Sequence, residues 1–154
     1  MWAGTRFNND FRFEDRDGGI GVPQRILVVE DEPSVADLIE AVLSGEGYTV
    51  AIARDGAQGL MLARDWSPDL ILMDIMLPAV DGTTAIRRLK SDPETADVPI
   101  VAMSAGSTLR SQSEELADAD AALAKPFDID ALLAQVAFHL SRRKSEAGEE
   151  LADA

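Results

Sequence analysis

"DLILMDIMLP", residues Asp69–Pro78, sets an ionisable side chain inside an otherwise apolar run. Leu70, Ile71, Leu72 and Met73 precede Asp74, and Ile75, Met76 and Leu77 follow it. A short, continuous apolar run of this kind reads as a strand buried on both faces of a parallel sheet. An unpaired charge in such a place costs several kcal/mol or shifts its pKa. Two readings stand. Either Asp74 is tied up by hydrogen bonds as part of the framework, or the strand ends there and delivers a working carboxylate to a site.

The flanking chain repeats the pattern. "RILVVE" (25–30) and "YTVAIA" (48–53) lie upstream, and "VPIVAMS" (98–104) and "AALAK" (121–125) downstream, each reading as a strand. Between them the period changes to that of a helix. In "DEPSVADLIEAVLSGEGY" (31–48), Val35, Leu38, Ile39, Val42 and Leu43 share a face, Pro33 suits the start, and Gly45 and Gly47 suit the end. "GAQGLMLARD" (56–65) reads as a helix with Leu60 and Met61 inward, and "DGTTAIRRLKS" (81–91) as another. "STLRSQSEELAD" (107–118) is a weak helix anchored only by Leu109 and Leu116, which makes it the segment expected to move most easily. "DIDALLAQVAFHLSRRK" (128–144) is a strong one, with Ile129, Leu132, Leu133, Val136 and Leu140 on one face. Strands alternating with helices over short connections predict an α/β fold, a parallel sheet with helices on both sides.

A chain of 154 residues with 46% hydrophobic composition favours one globular domain. Its net charge of −14 argues against a nucleic-acid-binding surface, which needs clustered Lys and Arg. Without cysteine there is no disulfide, thiolate chemistry or Cys-based metal site. No signal-like apolar segment and no run of about 18 apolar residues occurs, so the expectation is a cytoplasmic protein with no membrane partner. The domain is expected over residues 25–144. Residues 1–24 are polar and aperiodic but carry Trp2, Phe7, Phe11 and Phe13, and read as a disordered extension or a docking segment. Residues 145–154 read as an acidic disordered tail, too short to be an output domain.

Ligands of an open parallel sheet bind at the carboxyl ends of its strands. The sequence puts Glu30 and Asp31 at the first such end, Asp74 at the third, Ser104 at the fourth and Lys125, followed by Pro126, at the fifth. Each alone has an ordinary explanation: Asp31 and Ser104 as helix caps, Lys125 as a solvated surface charge. Together, three acids, a hydroxyl and an amine converge on one edge. Two carboxylates 4–5 Å apart repel by roughly 3–4 kcal/mol at an effective dielectric near 20. A divalent cation relieves that repulsion, and an all-oxygen, partly open site favours Mg²⁺ sharing a phosphate oxygen. Asp74 is then the nucleophile toward a phosphoryl group, with Ser104 and Lys125 on its oxygens.

With these residues in order, the sequence resembles the receiver domains of two-component response regulators. "ILVVEDEP", "DLILMDIMLPAVDG", "IVAMSA" and "LAKPF" carry the likeness, and Asp31 to Asp74 is 43 positions and Asp74 to Ser104 is 30. The resemblance implies a doubly wound, flavodoxin-like sheet of five parallel strands in the order 2-1-3-4-5. It implies a Mg²⁺-dependent phosphoacceptor that is not otherwise an enzyme, with Asp74 taking a phosphoryl group from a phosphohistidine on a sensor histidine kinase or phosphotransfer protein. Asp31, Asp74 and the Met76 carbonyl would ligate the metal, with Glu30 acting through water. Ser104 and Lys125 would contact the phosphoryl group, and the Lys125–Pro126 peptide would be cis.

Several positions depart from the family pattern. Glu30 stands for the more usual Asp and Ser104 for the frequent Thr, both keeping the needed chemistry. Ala122 stands where an aromatic normally swings inward to report phosphorylation, so that readout cannot operate as such. Asp118 stands at a customary Gly. Met76 and Gly106, two residues beyond Asp74 and Ser104, offer no side chain to orient a water, which predicts slow autohydrolysis. At 100° per residue Ala131, Ala134 and Phe138 cluster opposite the apolar stripe of the last helix, a surface for a homodimer or another partner. His139, the lone histidine, falls on the flank of that stripe, far in sequence from the acids. The rivals are a non-phosphorylated pseudo-receiver that only binds partners, and a small Mg²⁺-dependent aspartyl-phosphate phosphatase of the haloacid-dehalogenase type. The latter needs a second acid where Met76 stands. A flavin-binding module is disfavoured because "EDEPSV" offers acids where a phosphate loop is needed.

Overall fold

The computed structural model describes residues 6–7, 23–78, 80–105 and 117–152, with side chains described over 23–78, 80–105 and 117–142. Five strands run parallel: β1 (Arg25–Val29), β2 (Thr49–Ala53), β3 (Leu70–Asp74), β4 (Ile100–Ala105) and β5 (Ala121–Lys125). Their order across the sheet is β2-β1-β3-β4-β5, as the family likeness implied. Helices α1 (Pro33–Gly45), α2 (Gly56–Asp65), α3 (Gly82–Ser91) and α4 (Ile129–Ala152) follow β1, β2, β3 and β5. The weak helix expected over 107–118 falls almost wholly outside the described residues.

The continuous apolar runs are explained by two cores, one on each face. Leu27, Val29, Ile71 and Met73 point to one side, against Leu62 and Ala63 of α2 and Ala85, Ile86 and Leu89 of α3. Ile26, Val28, Leu70 and Leu72 point to the other, against Ala36, Ile39 and Leu43 of α1 and Leu132, Val136 and Leu140 of α4. Alternate residues of one strand thus serve opposite layers. A fully buried Leu or Ile contributes roughly 1.5–3 kcal/mol, which makes the central strands the rigid part of the molecule.

The helix faces differ in part from the sequence pattern: Met61, expected inward, and Leu38, expected at apolar helical spacing in α1, are exposed. The sides that meet the sheet are taken by Ala36, Ile39 and Leu43 in α1 and by Gly56, Gly59, Leu62 and Ala63 in α2, which leaves these two outside. Ile129 is also exposed, at the first turn of α4. The segment expected as a disordered tail from residue 145 continues α4 to Ala152, in keeping with the helix propensity of its Glu- and Ala-rich sequence. Within the expected extension, Arg6–Phe7 forms a two-residue strand antiparallel to β2, with Arg6 opposite Ile52 and Phe7 opposite Ala51. The sheet therefore has a sixth strand at its β2 edge.

Local signals at α3 behave as its sequence predicts. Asp81 caps the helix, its Oδ1 accepting from the Thr84 N–H at 2.9 Å and the Thr83 hydroxyl at 2.6 Å. The hydroxyl of Thr83, then the Thr84 N–H, hold the Asp81 pKa below the ordinary aspartate value. Stability from a depressed carboxyl pKa is present above the unfolded-state value and lost as pH falls through the folded one. Asp81→Ala should therefore cost about 1 kcal/mol in urea unfolding at neutral pH. The difference from the parent should vanish in acid, and a gap that persists there would contradict the capping account.

Candidate functional site

The site forms where β1, β3, β4 and β5 end. The Glu30 N–H donates to the Ala53 carbonyl at 3.0 Å, extending the ladder one residue past β1 and turning the Glu30 side chain into the sheet end. The Ile75 N–H likewise donates to the Met103 carbonyl at 3.0 Å, so Asp74 is held by backbone bonds on both sides. Glu30 and Asp74 are buried, and Asp31 is exposed above them. Carboxylate oxygens of all three lie within 4.8 Å of one another.

Asp31 is not a helix cap. Glu32 occupies that position on α1 and makes no side-chain cap bond. Glu32 instead donates its N–H to Glu30 Oε2 at 3.3 Å, and Met76 donates its N–H to Asp74 Oδ1 at 3.1 Å. Lys125 is not a solvated charge either. Its ammonium is hydrogen-bonded to Glu30 Oε1 and lies 3.4 Å from Asp74 Oδ2. The Lys125–Pro126 peptide is cis. Ser104 is one residue beyond the β4 partner of Asp74, and its buried hydroxyl has no hydrogen-bond partner among the described residues.

The electrostatics follow from this crowding. Burial raises the Glu30 pKa, and the adjacent Asp74 carboxylate adds to it, against the opposing pull of Lys125. For Lys125, burial acts downward, but its bond to Glu30 and the charge of Asp74 outweigh it and hold its pKa above the ordinary lysine value. Three carboxylates against one ammonium leave a local excess of negative charge. Oxygen donors this close, one of them exposed, suit a hard divalent cation of the Mg²⁺ type.

The other predicted residues lie elsewhere. Ala131, Ala134 and Phe138 are exposed on the side of α4 away from Leu132, Val136 and Leu140, and do not join the acidic end of the sheet. Arg142 stacks over the Phe138 ring at 5.6 Å, and His139 meets it edge-on at 5.1 Å. Burial lowers the His139 pKa. Ala122 is exposed on β5, and Gly106 falls outside the described residues. One feature escaped sequence reasoning: a cavity of about 370 Å³ beside Lys125, lined by Glu32, Val35, Leu38, Pro126 and Phe127. Its signal was the excess of large apolar residues on α1, more than one face can bury.

Comparison with known proteins agrees with this geometry. The response regulator receiver domain model matches residues 26–137. The DNA-binding dual master transcriptional regulator RpaA of Synechocystis sp. PCC 6803 is 41% identical over 119 residues, 77% of this chain and 49% of its own. The DNA-binding response regulator MtrA of Mycolicibacterium smegmatis is 40% identical over 129 residues, 83% of this chain and 55% of its own. The chain thus spans about half the length of these curated relatives. Among solved structures, the receiver domain of sensor histidine kinase PA1611 from Pseudomonas aeruginosa, with magnesium coordinated in its active-site cleft, superposes with a TM-score of 0.72 at 35% identity, covering 78% of this chain and 99% of that one. A CheY-like receiver domain protein from Methanospirillum hungatei gives 0.75 at 27% identity, covering 81% and 99%.

Like-charge crowding makes a measurable demand on stability. Asp31 adds to the repulsion and has no described ion-pair partner, so Asp31→Asn should stabilise the metal-free protein by about 1 kcal/mol in urea unfolding, the Coulomb figure being reduced by solvent screening at an exposed site. A loss of stability instead would refute the repulsion account.

Proposed function

The chain belongs to the response regulator receiver domain family, and from that membership we propose that it is a phosphorelay module that takes a phosphoryl group on Asp74 from a phosphohistidine, with Mg²⁺ present. One observation carries the reading: the buried Asp74 carboxylate lies against the Lys125 ammonium at 3.4 Å and within 4.8 Å of Glu30 and Asp31 oxygens. Mg²⁺ would be held by Asp31, Asp74 and the Met76 carbonyl, with Glu30 acting through water, and would neutralise charge on the phosphoryl oxygens.

The residues of the chain do the rest. A carboxylate oxygen of Asp74 attacks phosphorus, the P–N bond of the donor breaks, and the imidazole leaves and takes up a proton. An acyl phosphate remains on Asp74. Lys125, already facing Asp74, exchanges its bond to Glu30 for one to a phosphoryl oxygen. The Ser104 hydroxyl, which has no partner among the described residues, donates to another. Because β1, β3, β4 and β5 hold these groups rigidly, little reorganisation precedes transfer. A phosphatase is disfavoured: the residue two past the nucleophile is Met76, with its side chain 70% exposed and no acid to offer.

The phosphohistidine donor, a sensor histidine kinase or phosphotransfer protein, docks in this reading against the apolar wall of Val35, Leu38 and Phe127 beside Lys125. Signal output, or self-association, uses the exposed Ala131, Ala134 and Phe138 face of α4. DNA binding, which the names of RpaA and MtrA record, finds no support in the acidic charge of this chain.

Incubation with Mg²⁺ and acetyl phosphate, read by intact mass, should add one phosphate to the parent and to Leu38→Asp but none to Asp74→Asn. Leu38→Asp should slow transfer from a phosphohistidine donor at least tenfold. Labelling of Asp74→Asn would overturn the assignment of the acceptor. Phe138→Asp should leave labelling intact and lower any self-association seen by sedimentation; an unchanged profile of a self-associating parent would remove that surface.

A further inference from the structure

We propose that Gly56, at the start of α2, is a positioning residue for the connection that follows Asp74, and so for the metal site. The inference rests on the reading above. The connection is closed at its base by Gly82, whose N–H donates to the Ile75 carbonyl at 3.0 Å. A Cβ at Gly82 would lie 2.2 Å from the Asp74 carbonyl oxygen and 2.6 Å from Ile75 Cα, so the chain returns directly onto the acceptor's own backbone. Further along, Val80 rests on the neighbouring helix. A Cβ at Gly56 would lie 2.2 Å from the Val80 carbonyl oxygen and 2.9 Å from Val80 Cβ.

The obstacle at Gly56 is backbone, which no rotamer change can remove. Gly56 itself is fixed by the cap of α2, where Asp55 accepts from the Gln58 N–H at 2.8 Å. Any side chain there must therefore push the connection away from α2. Because Met76 is bonded to Asp74 Oδ1 within the same connection, that displacement reaches the acceptor carboxylate and its expected third metal ligand. A second glycine on α2 supplies the control. A Cβ at Gly59 would meet Val29 Cγ2 at 2.9 Å, the end of a side chain on β1 and not the connection. Both changes crowd the same helix, but only one acts on the site.

The test uses the full chain as parent, Gly56→Ala and Gly59→Ala. Mg²⁺ affinity is measured by calorimetry, thermal midpoint by circular dichroism, and metal-free amide shifts of Met76, Leu77 and Gly82 by NMR. Both variants should melt lower than the parent. Gly56→Ala should bind Mg²⁺ at least fivefold more weakly and move the three amides, while Gly59→Ala stays within twofold of the parent and leaves them in place. Equal Mg²⁺ affinity in parent and Gly56→Ala, unmoved amides, or an equal loss in Gly59→Ala would overturn the role of Gly56. Failure of the parent itself to bind Mg²⁺ would overturn the metal reading, whatever the amides show. Should Gly56→Ala not fold in plain buffer, the same comparison of parent, Gly56→Ala and Gly59→Ala is made in trimethylamine N-oxide, which favours the folded state, and parent-like Mg²⁺ affinity there would overturn the proposal equally.

Discussion

Mutual repulsion among Glu30, Asp31 and Asp74 is the constraint around which this molecule is organised. Carboxylate oxygens within 4.8 Å of one another would disperse if they stood on loops. They stay together because Glu30 and Asp74 continue strands whose apolar residues are fully buried in two cores. The parallel sheet supplies the stability, and the strand ends carry the strain. Lys125 offsets part of it, bonding Glu30 and facing Asp74, and its raised pKa shows that the acids hold its proton against burial. Such a cluster responds strongly to any added positive charge.

Much of this arrangement was legible in the sequence because it rests on periods and on strand ends. The run ending at Asp74 was legible as a strand, and so were the runs that end at Val29 and at Lys125. Helix faces were less legible. Hydrophobic size pointed to Leu38 and Met61, whereas the sides of α1 and α2 that meet the sheet bury Ala36 and Ala63 beside Ile39, Leu43 and Leu62, a choice that size alone does not mark. The pairing of Lys125 with Glu30 was invisible for a different reason. The two are 95 residues apart and meet only through the sheet order, which fixes the spacing of strands but not which oxygen an ammonium selects.

The departures from the family pattern gain physical sense in the fold. Glu30 stands for a shorter acid, and the longer arm lets one carboxylate accept from the Glu32 N–H through Oε2 and from Lys125 through Oε1 at once. Ala122 faces outward on β5, a strand on which Leu123 is the buried residue. Nothing large lies there to swing inward, so in the proposed function a change at Asp74 would travel through the backbone and the helices packed on it. The cavity bordered by Leu38 and Phe127 opens beside Lys125 and offers one such route to a bound partner.

Ser104 and Lys125 bear on the proposed phosphoryl transfer in different ways. A buried hydroxyl without a partner costs roughly 1–3 kcal/mol, and a folded chain normally avoids that cost by pairing the group or exposing it. Here the hydroxyl is buried, has no partner among the described residues, and lies one residue past the strand partner of Asp74. Lys125 is in the opposite condition, bonded to Glu30 although it also faces the acceptor. In the proposed reaction an acyl phosphate on Asp74 would give the Ser104 hydroxyl an acceptor oxygen and set a second anion beside Lys125. On that reading one phosphoryl group would engage the Ser104 hydroxyl and the Lys125 ammonium together.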